Sequence, residues 1–283
     1  MKVLVTGAEG QLGYDVCQRL HALSIPHKGI DLADCDLTDS AAVERCFTLY
    51  EPDCVIHCAA YTQVDKAETD SQLCFAVNEA ATRCIARQCK LHNAKMLYVS
   101  TDYVFDGDGN IPLEADAPPK PYNVYGKSKL AGEQAVLETL TRFFIVRTSW
   151  VFGLHGHNFV QTMRRLGSQR ESIQVVCDQI GSPTYTADLA ILLCDMVLTE
   201  SYGVYHATNE GYCSWHTFAE KIMALSSLPC QVAPIPSSQY PTPAKRPLNS
   251  RLSKRSLDEG GFQRLPSWED ALKRYIAALP SAT

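Results

Sequence analysis

Residues 2–13 read KVLVTGAEGQLG. KVLVT is a short apolar run of strand character, and it stops at Gly7. Leu12, Val16, Leu20 and Leu23 then recur at helical spacing across residues 11–23. Glycines at 7, 10 and 13 fill the turn between the two. A strand, a glycine-rich turn and a helix in this order expose backbone N–H groups at the positive end of a helix, where a diphosphate can sit. Gly7 permits the tight turn, Gly10 lets the diphosphate approach the backbone, and Gly13 lets helix and strand pack closely. Gln11 and Leu12 belong to the same loop and are counted with the glycines as nucleotide-binding. The spacing is GxxGxxG rather than the GxGxxG of many dehydrogenases.

The same strand–helix alternation continues outward from this loop. HKGID at 27–31 reads as a second strand, DSAAVERCFTL at 39–49 as a helix, and CVIHCAA at 54–60 as a buried strand. A long helical pattern fills about 71–92, and KMLYVST at 95–101 and FFIVRTS at 143–149 are further strands. Alternation of this kind implies right-handed βαβ units, and apolar strands without polar alternation imply a sheet covered on both faces. The expected fold class is α/β, a doubly wound parallel sheet (Rossmann) with a smaller C-terminal substrate-binding lobe. The boundary is expected near 150, giving a dinucleotide-binding domain over 1–150 and a substrate lobe over 151–283, with 186–207 free to pack back on the first. Asp31, ending the second strand, is placed to receive the adenosine ribose and favours NADH, while Lys28 nearby leaves NADPH open. Asp36 and Leu37 are expected to border the adenine, and Ala59, Ala60 and Tyr61 to line the cofactor after the third strand.

Beyond residue 150 the pattern loosens. GSPTY at 181–185 marks a turn, 186–198 a helix and GVYHAT at 203–208 a short strand. The proline-rich stretch 229–247 reads as mostly irregular. An amphipathic helix over 267–279 closes the chain, with Ser267 and Asp270 in a capping-box pattern and Trp268, Leu272, Tyr275, Ile276 and Leu279 on one face.

Composition narrows the function classes. The 283 residues are 46% hydrophobic and 20% charged, which is ordinary for a globular protein with a sizeable core. A net charge of −5 gives no ground for a nucleic-acid partner held by bulk charge. No apolar run of about 18 residues predicts a membrane span, and MKVLVTG lacks the apolar core of a signal peptide, so the expected location is the cytoplasm. The 12 cysteines are scattered and read as small core hydrophobes rather than zinc ligands.

One further stretch, YNVYGKSKLAGE at 122–133, sets Tyr125 and Lys129 four apart at the start of a helix. Alone, such a pair is usually a surface contact. Ser100, Thr101 and Asp102 follow the fourth strand at the sheet's carboxyl edge, where such folds bind ligands. Reducing a ketone needs a hydride on carbon and a proton on oxygen. A tyrosine tuned by a cation and a hydroxyl neighbour can supply the proton. Tyr125 is therefore the expected proton donor, Lys129 the tuning cation and ribose ligand, and Thr101 the hydrogen bond to the carbonyl oxygen.

The glycine loop, the hydroxyl after strand four and YxxxK together resemble the extended short-chain dehydrogenases/reductases over the whole chain. CAAYTQVDKAE at 58–68, STDYVFDGDG at 100–109, VYGKSKLAGE at 124–133, RTSWVFG at 147–153, DQIGSPTY at 178–185 and RPLNSRL at 246–252 narrow the resemblance to the dTDP-4-dehydrorhamnose reductases. That resemblance implies NADPH- or NADH-dependent reduction of a dTDP-sugar for surface polysaccharide. It also implies that Asp102 and Trp150 face the sugar nucleotide and that Arg246 clamps its diphosphate. Asn158 is a candidate polar contact in the substrate lobe. Some members dimerise through a magnesium site, for which Asp15 is a candidate without a full ligand set; a homodimer and Mg2+ are left open on this ground. The competing readings are a sugar-nucleotide epimerase or 4,6-dehydratase of the same superfamily, and a non-catalytic dinucleotide-binding regulatory subunit. Tyr103 stands where a dehydratase would carry a second acid, and the intact Thr101, Tyr125 and Lys129 weigh against an inactive subunit.

Overall fold

The computed structural model describes residues 1–279. Its first half runs β1 (Val3–Thr6), α1 (Gln11–Ala22), β2 (His27–Ile30), α2 (Ser40–Tyr50), β3 (Cys54–His57), α3 (Val64–Ala67), α4 (Ser71–Phe75), α5 (Ala81–Leu91), β4 (Lys95–Thr101), α6 (Val124–Thr139) and β5 (Phe143–Thr148). Five strands thus alternate with helices, and all pair in parallel. The helical pattern expected over 71–92 is interrupted: Ala76–Ala80 form a π turn between α4 and α5, and Asn78 lies in it.

The second half adds β6 (Val151–Phe152), α7 (Phe159–Gly167), β7 (Ser172–Val176), β8 (Ile180–Gly181), β9 (Thr184–Tyr185), α8 (Thr186–Met196), β10 (Gly203–His206), β11 (Cys213–Ser214), α9 (Trp215–Leu225), β12 (Gln231–Ile235), β13 (Asn249–Ser250), α10 (Arg255–Glu259) and α11 (Trp268–Ala278). β10 joins β5, giving a six-stranded sheet in the order β10-β5-β4-β3-β1-β2. The order in which successive strands are added reverses between β1 and β3, and the crevice outside their carboxyl ends is where such sheets take ligands.

Both faces of the sheet are covered, as period-two alternation within an all-apolar strand requires. Val3, Val5, Ile56, Leu97 and Phe144 pack one face against Val16 and Leu20 of α1 and Leu189, Leu193 and Met196 of α8. Leu4, Val55, Met96, Tyr98 and Ile145 face the other way, against Val43, Phe47, Ile85 and Val136. A separate cluster around Phe152, Phe218, Ile222, Trp268, Leu272 and Tyr275 forms the core of the C-terminal elements. Each such aliphatic or aromatic side chain contributes about 1.5–3 kcal/mol on full burial. Ser267 caps α11 by accepting from the Asp270 N–H at 3.2 Å.

Within the mostly irregular stretch 229–247 one regular element was not expected. Gln231–Ile235 form a strand parallel to β7. Pro234 within it is tolerated because β7 and β12 make a two-stranded sheet in which every strand is an edge. Among the described residues no helix is long and apolar enough to cross a membrane.

Candidate active site

The phosphate loop forms because β1 ends at a residue that must turn left-handed. Gly7 has φ +67°, and a Cβ there would lie 2.7 Å from the Ala59 amide nitrogen. The loops after β1 and β3 therefore touch backbone to backbone. Thr6 Oγ1 accepts from the Ala59 N–H at 3.3 Å and pairs with His57 Nδ1 at 2.6 Å. Burial drives the His57 pKa down to about 3, so the ring is neutral and stitches β1 to Thr82 of α5 through Nε2. Gly10 is the N-cap of α1, and no side chain caps that helix, which leaves its first-turn N–H groups for another acceptor.

The acids at the far end of the cavity are already partly engaged. The Asp31 carboxylate accepts from the backbone N–H of Glu9 at 3.0 Å and of Leu32 at 2.9 Å. Asp36 accepts from the Thr38 N–H and hydroxyl. Leu37, Ala59, Ala60 and Tyr61 line the same space.

The opposite side is organised by α6. Its N-cap Asn123 accepts from the Gly126 N–H at 2.8 Å, and its amide donates to the Lys245 carbonyl at 2.8 Å. Asn78 accepts from the Tyr61 N–H at 2.8 Å and donates to the Tyr61 carbonyl and to Ser128 Oγ at 2.9 Å. Ser128 in turn donates to the Tyr125 carbonyl at 2.8 Å. Asn78 thus ties the loop after β3 to the helix that carries Tyr125 and Lys129, which is a use for the π turn; such turns often mark functional positions.

Tyr125 is 9% exposed. Burial raises its pKa above that of a free phenol, and the Thr101 hydroxyl acts in the opposite sense. Tyr103 packs edge-on against its ring at 5.5 Å. The Lys129 ammonium donates to the Val99 carbonyl at 2.8 Å and lies 4.0 Å from the centre of the Tyr98 ring. Burial lowers its pKa to about 7, with Glu133 pulling the other way. Glu133 itself is committed to Arg147, at 2.9 and 2.7 Å, and to Ser100 at 2.5 Å. This buried pair behind Lys129 escaped the sequence reading, because Arg147 sits inside an otherwise apolar strand.

Asp102, 2% exposed, accepts from Thr101 Oγ1 at 3.0 Å. Burial pushes its pKa up to about 6; the Ser250 hydroxyl stands close enough to ease the charge, yet makes no well-aligned bond to Oδ2, which stays unpaired. Thr148 Oγ1 is likewise buried without a partner. Both residues line one cavity of about 780 Å³, together with Gly7, Gly10, Gln11, Leu12 and Gly13 at one end and Thr101, Tyr125, Lys129 and Trp150 at the other. Unpaired buried polar atoms cost about 1–3 kcal/mol each, so their presence on a cavity wall fits a polar ligand. With the uncapped helix and the Gly7–Ala59 approach, the donor set fits a dinucleotide. Trp150 has φ +49°, a strained state for a bulky residue that costs about 1–3 kcal/mol.

A family model described as the RmlD substrate binding domain matches residues 1–281. A dTDP-4-dehydrorhamnose reductase of Mycolicibacterium smegmatis is 40% identical over all of this chain and 87% of its own length. The chain belongs to the dTDP-4-dehydrorhamnose reductase family. A reductase of this family from Bacillus anthracis, crystallised with NADP, superposes with a TM-score of 0.95 at 42% identity over 98% of each chain. The spore coat polysaccharide biosynthesis protein SpsK of Bacillus subtilis is 38% identical over 99% of both chains. A UDP-glucose 4-epimerase of Thermus thermophilus shares the fold at 20% identity, with a TM-score of 0.86.

Two residues expected at the reductase site are not part of the cavity wall. Asn158 caps α7 by accepting from the Gln161 N–H, while its amide donates to the Gly153 carbonyl, to Gln11 Oε1 and to the Tyr275 hydroxyl. Its hydrogen-bonding groups are spent within the fold. The Arg246 guanidinium donates to Asp65 at 2.6 Å and to the Tyr103 hydroxyl at 3.0 Å, at the rim beside Tyr103. Asp15 has Thr186 and His155 as neighbours. No group of three or more His, Cys, Asp or Glu side chains able to hold a metal occurs among the described residues.

Proposed function

We propose that the protein reduces the 4-keto group of dTDP-4-dehydro-L-rhamnose to dTDP-L-rhamnose with NAD(P)H, for surface polysaccharide synthesis in the cytoplasm. The observation that carries this reading is the single cavity joining an uncapped phosphate loop to Thr101, Tyr125 and Lys129, in a chain of this reductase family. The reduced nicotinamide, when bound, supplies the hydride. Gly7, Gly10, Gln11, Leu12, Gly13, Asp31, Asp36, Leu37, Ala59, Ala60 and Tyr61 would hold it.

Tyr125 gives its phenolic proton to the ketone oxygen as negative charge develops there. Its raised pKa keeps the proton in place at neutral pH, so the donor form is fully populated. The cost is acidity, and the Thr101 hydroxyl offsets part of it by hydrogen bonding to the developing charge. Lys129, buried and titrating near neutrality, holds a mobile positive charge one helical turn away and hydrogen-bonds the cofactor ribose. Asp102 and Thr148 lie on the wall beside Tyr125 and would face the hexose. Trp150 forms the apolar wall, and Arg246 meets the diphosphate at the rim.

The test is turnover. Purified protein given authentic dTDP-4-dehydro-L-rhamnose should consume NADH or NADPH mole for mole, read by loss of the reduced-nicotinamide absorbance. Absence of consumption with either cofactor would overturn the reading.

A further inference from the structure

Trp150 adopts φ +49°, a backbone state that bulky side chains rarely take, so its surroundings must hold it there. Two neighbours do. Trp215, the first residue of α9, stacks on the Trp150 indole with ring centroids 3.7 Å apart and planes within 12°. Phe159 backs Trp215 at 4.5 Å. Gly181 lies against the indole edge, where a Cβ would stand 2.8 Å from Trp150 Cε2 and 3.0 Å from Nε1. β8 sets Gly181 in the middle of a three-stranded sheet, in register with Cys213 on one side and Ser250 on the other. The same small sheet therefore leads into Trp215 and delivers Ser250 to the side of Asp102. Trp150 lines the central cavity with Thr101, Asp102 and Tyr125, whereas Trp215 and Gly181 are not among its lining residues.

We infer that Trp215 and Gly181 are positioning residues for sugar recognition: the indole stack and the bare glycine edge hold Trp150 in its left-handed state and so set the wall that grips the hexose. The identity of the sugar rests on the reductase reading; the conformational claim does not. No proton or hydride passes through either residue.

Three variants test it: Trp215→Ala, Trp215→Phe and Gly181→Ala. Trp215→Ala and Gly181→Ala should each raise KM for the dTDP-sugar by about tenfold, the scale of one aromatic pair, with kcat and cofactor KM little changed; Trp215→Ala, which empties a place in the C-terminal aromatic cluster, should also lower Tm by several degrees. Trp215→Phe keeps a stacking ring and should recover most of the loss. Two stacked indoles also give an exciton couplet in circular dichroism. It should vanish in both Trp215 variants and weaken in Gly181→Ala, where the added methyl displaces the Trp150 ring. A wild-type sugar KM in both Trp215→Ala and Gly181→Ala overturns the inference, as does an equal rise in both KM values, which a merely structural role would give. If Trp215→Ala does not fold, Gly181→Ala and Trp215→Phe decide alone. Absence of turnover in the unaltered protein sinks the reductase reading instead. The couplet then still decides: its full persistence in Gly181→Ala overturns the claim that Gly181 seats the indole, and its weakening upholds it.

Discussion

The two ends of the cavity are built by opposite means. The phosphate end comes from seven consecutive residues, Gly7 to Gly13, whose backbone does the work at the switch between β1 and β3. The end proposed to take the sugar is assembled from pieces far apart in the chain: Asp102 after β4, Thr148 at the end of β5 and Trp150 just beyond it. A backbone device depends on one local pattern and tolerates almost no added atom. A side-chain device depends on tertiary contacts and fails by degrees. Substitutions at the two ends should therefore differ in kind, with the junction between them, Tyr125, the most sensitive point.

At that junction, Tyr125→Phe removes one oxygen and keeps the ring that packs against Tyr103. We expect kcat to fall by about 10²–10⁴-fold, the usual range for loss of a general acid, with cofactor affinity unchanged in a fluorescence titration. A near-normal kcat would show that the proton comes from elsewhere and would make the two ends energetically independent.

At the phosphate end, Gly13→Ala should be the next most damaging change. A Cβ at 13 would stand 2.0 Å from the Gly7 carbonyl oxygen, a backbone atom that cannot step aside without reshaping the loop. Overpacking of this kind costs about 1–3 kcal/mol, so cofactor affinity should fall by about tenfold or thermal stability should drop by several degrees, on the usual scale of about 2–4 °C per kcal/mol. An alanine variant unchanged in both calorimetry and cofactor titration would break the contrast drawn above.

This difference in construction also explains what was legible in the sequence. β1, α1 and the glycine turn follow from local spacing, and their bounds agree within a residue with the expected 2–6 and 11–23. Tyr125 and Lys129 were legible because helical spacing fixes where they fall on α6. Among the C-terminal elements, α8, β10 and α11 fall where 186–198, 203–208 and 267–279 were expected, but others were hidden. β12 is hidden by Pro234, since proline counts against a strand unless one knows that the strand is an edge. The π turn at Ala76–Ala80 leaves no mark in an apolar periodicity that simply continues through it. The left-handed Trp150 and its stack on Trp215 join residues 65 positions apart, and no spacing rule reaches that far. Lys129 shows the same limit from within the site: the sequence set its position on α6, and the fold decided that its ammonium rests on Val99 and the Tyr98 ring.

Asn158 offers the mildest test and the one that separates the two kinds of residue most cleanly. Sequence position suggested a polar contact to substrate; the structure gives its side chain a cap on α7 and three bonds that join Gly153, Gln11 and Tyr275. Removing an asparagine cap costs about 0.5–2 kcal/mol. Asn158→Ala should therefore lower Tm by a few degrees while KM for the sugar nucleotide stays near that of the unaltered protein. Because Gln11 shares this knot and also belongs to the phosphate loop, a small rise in cofactor KM should accompany the stability loss. A raised sugar KM at unchanged Tm would return Asn158 to the substrate wall and show that side-chain capping and ligand contact can trade places in this lobe.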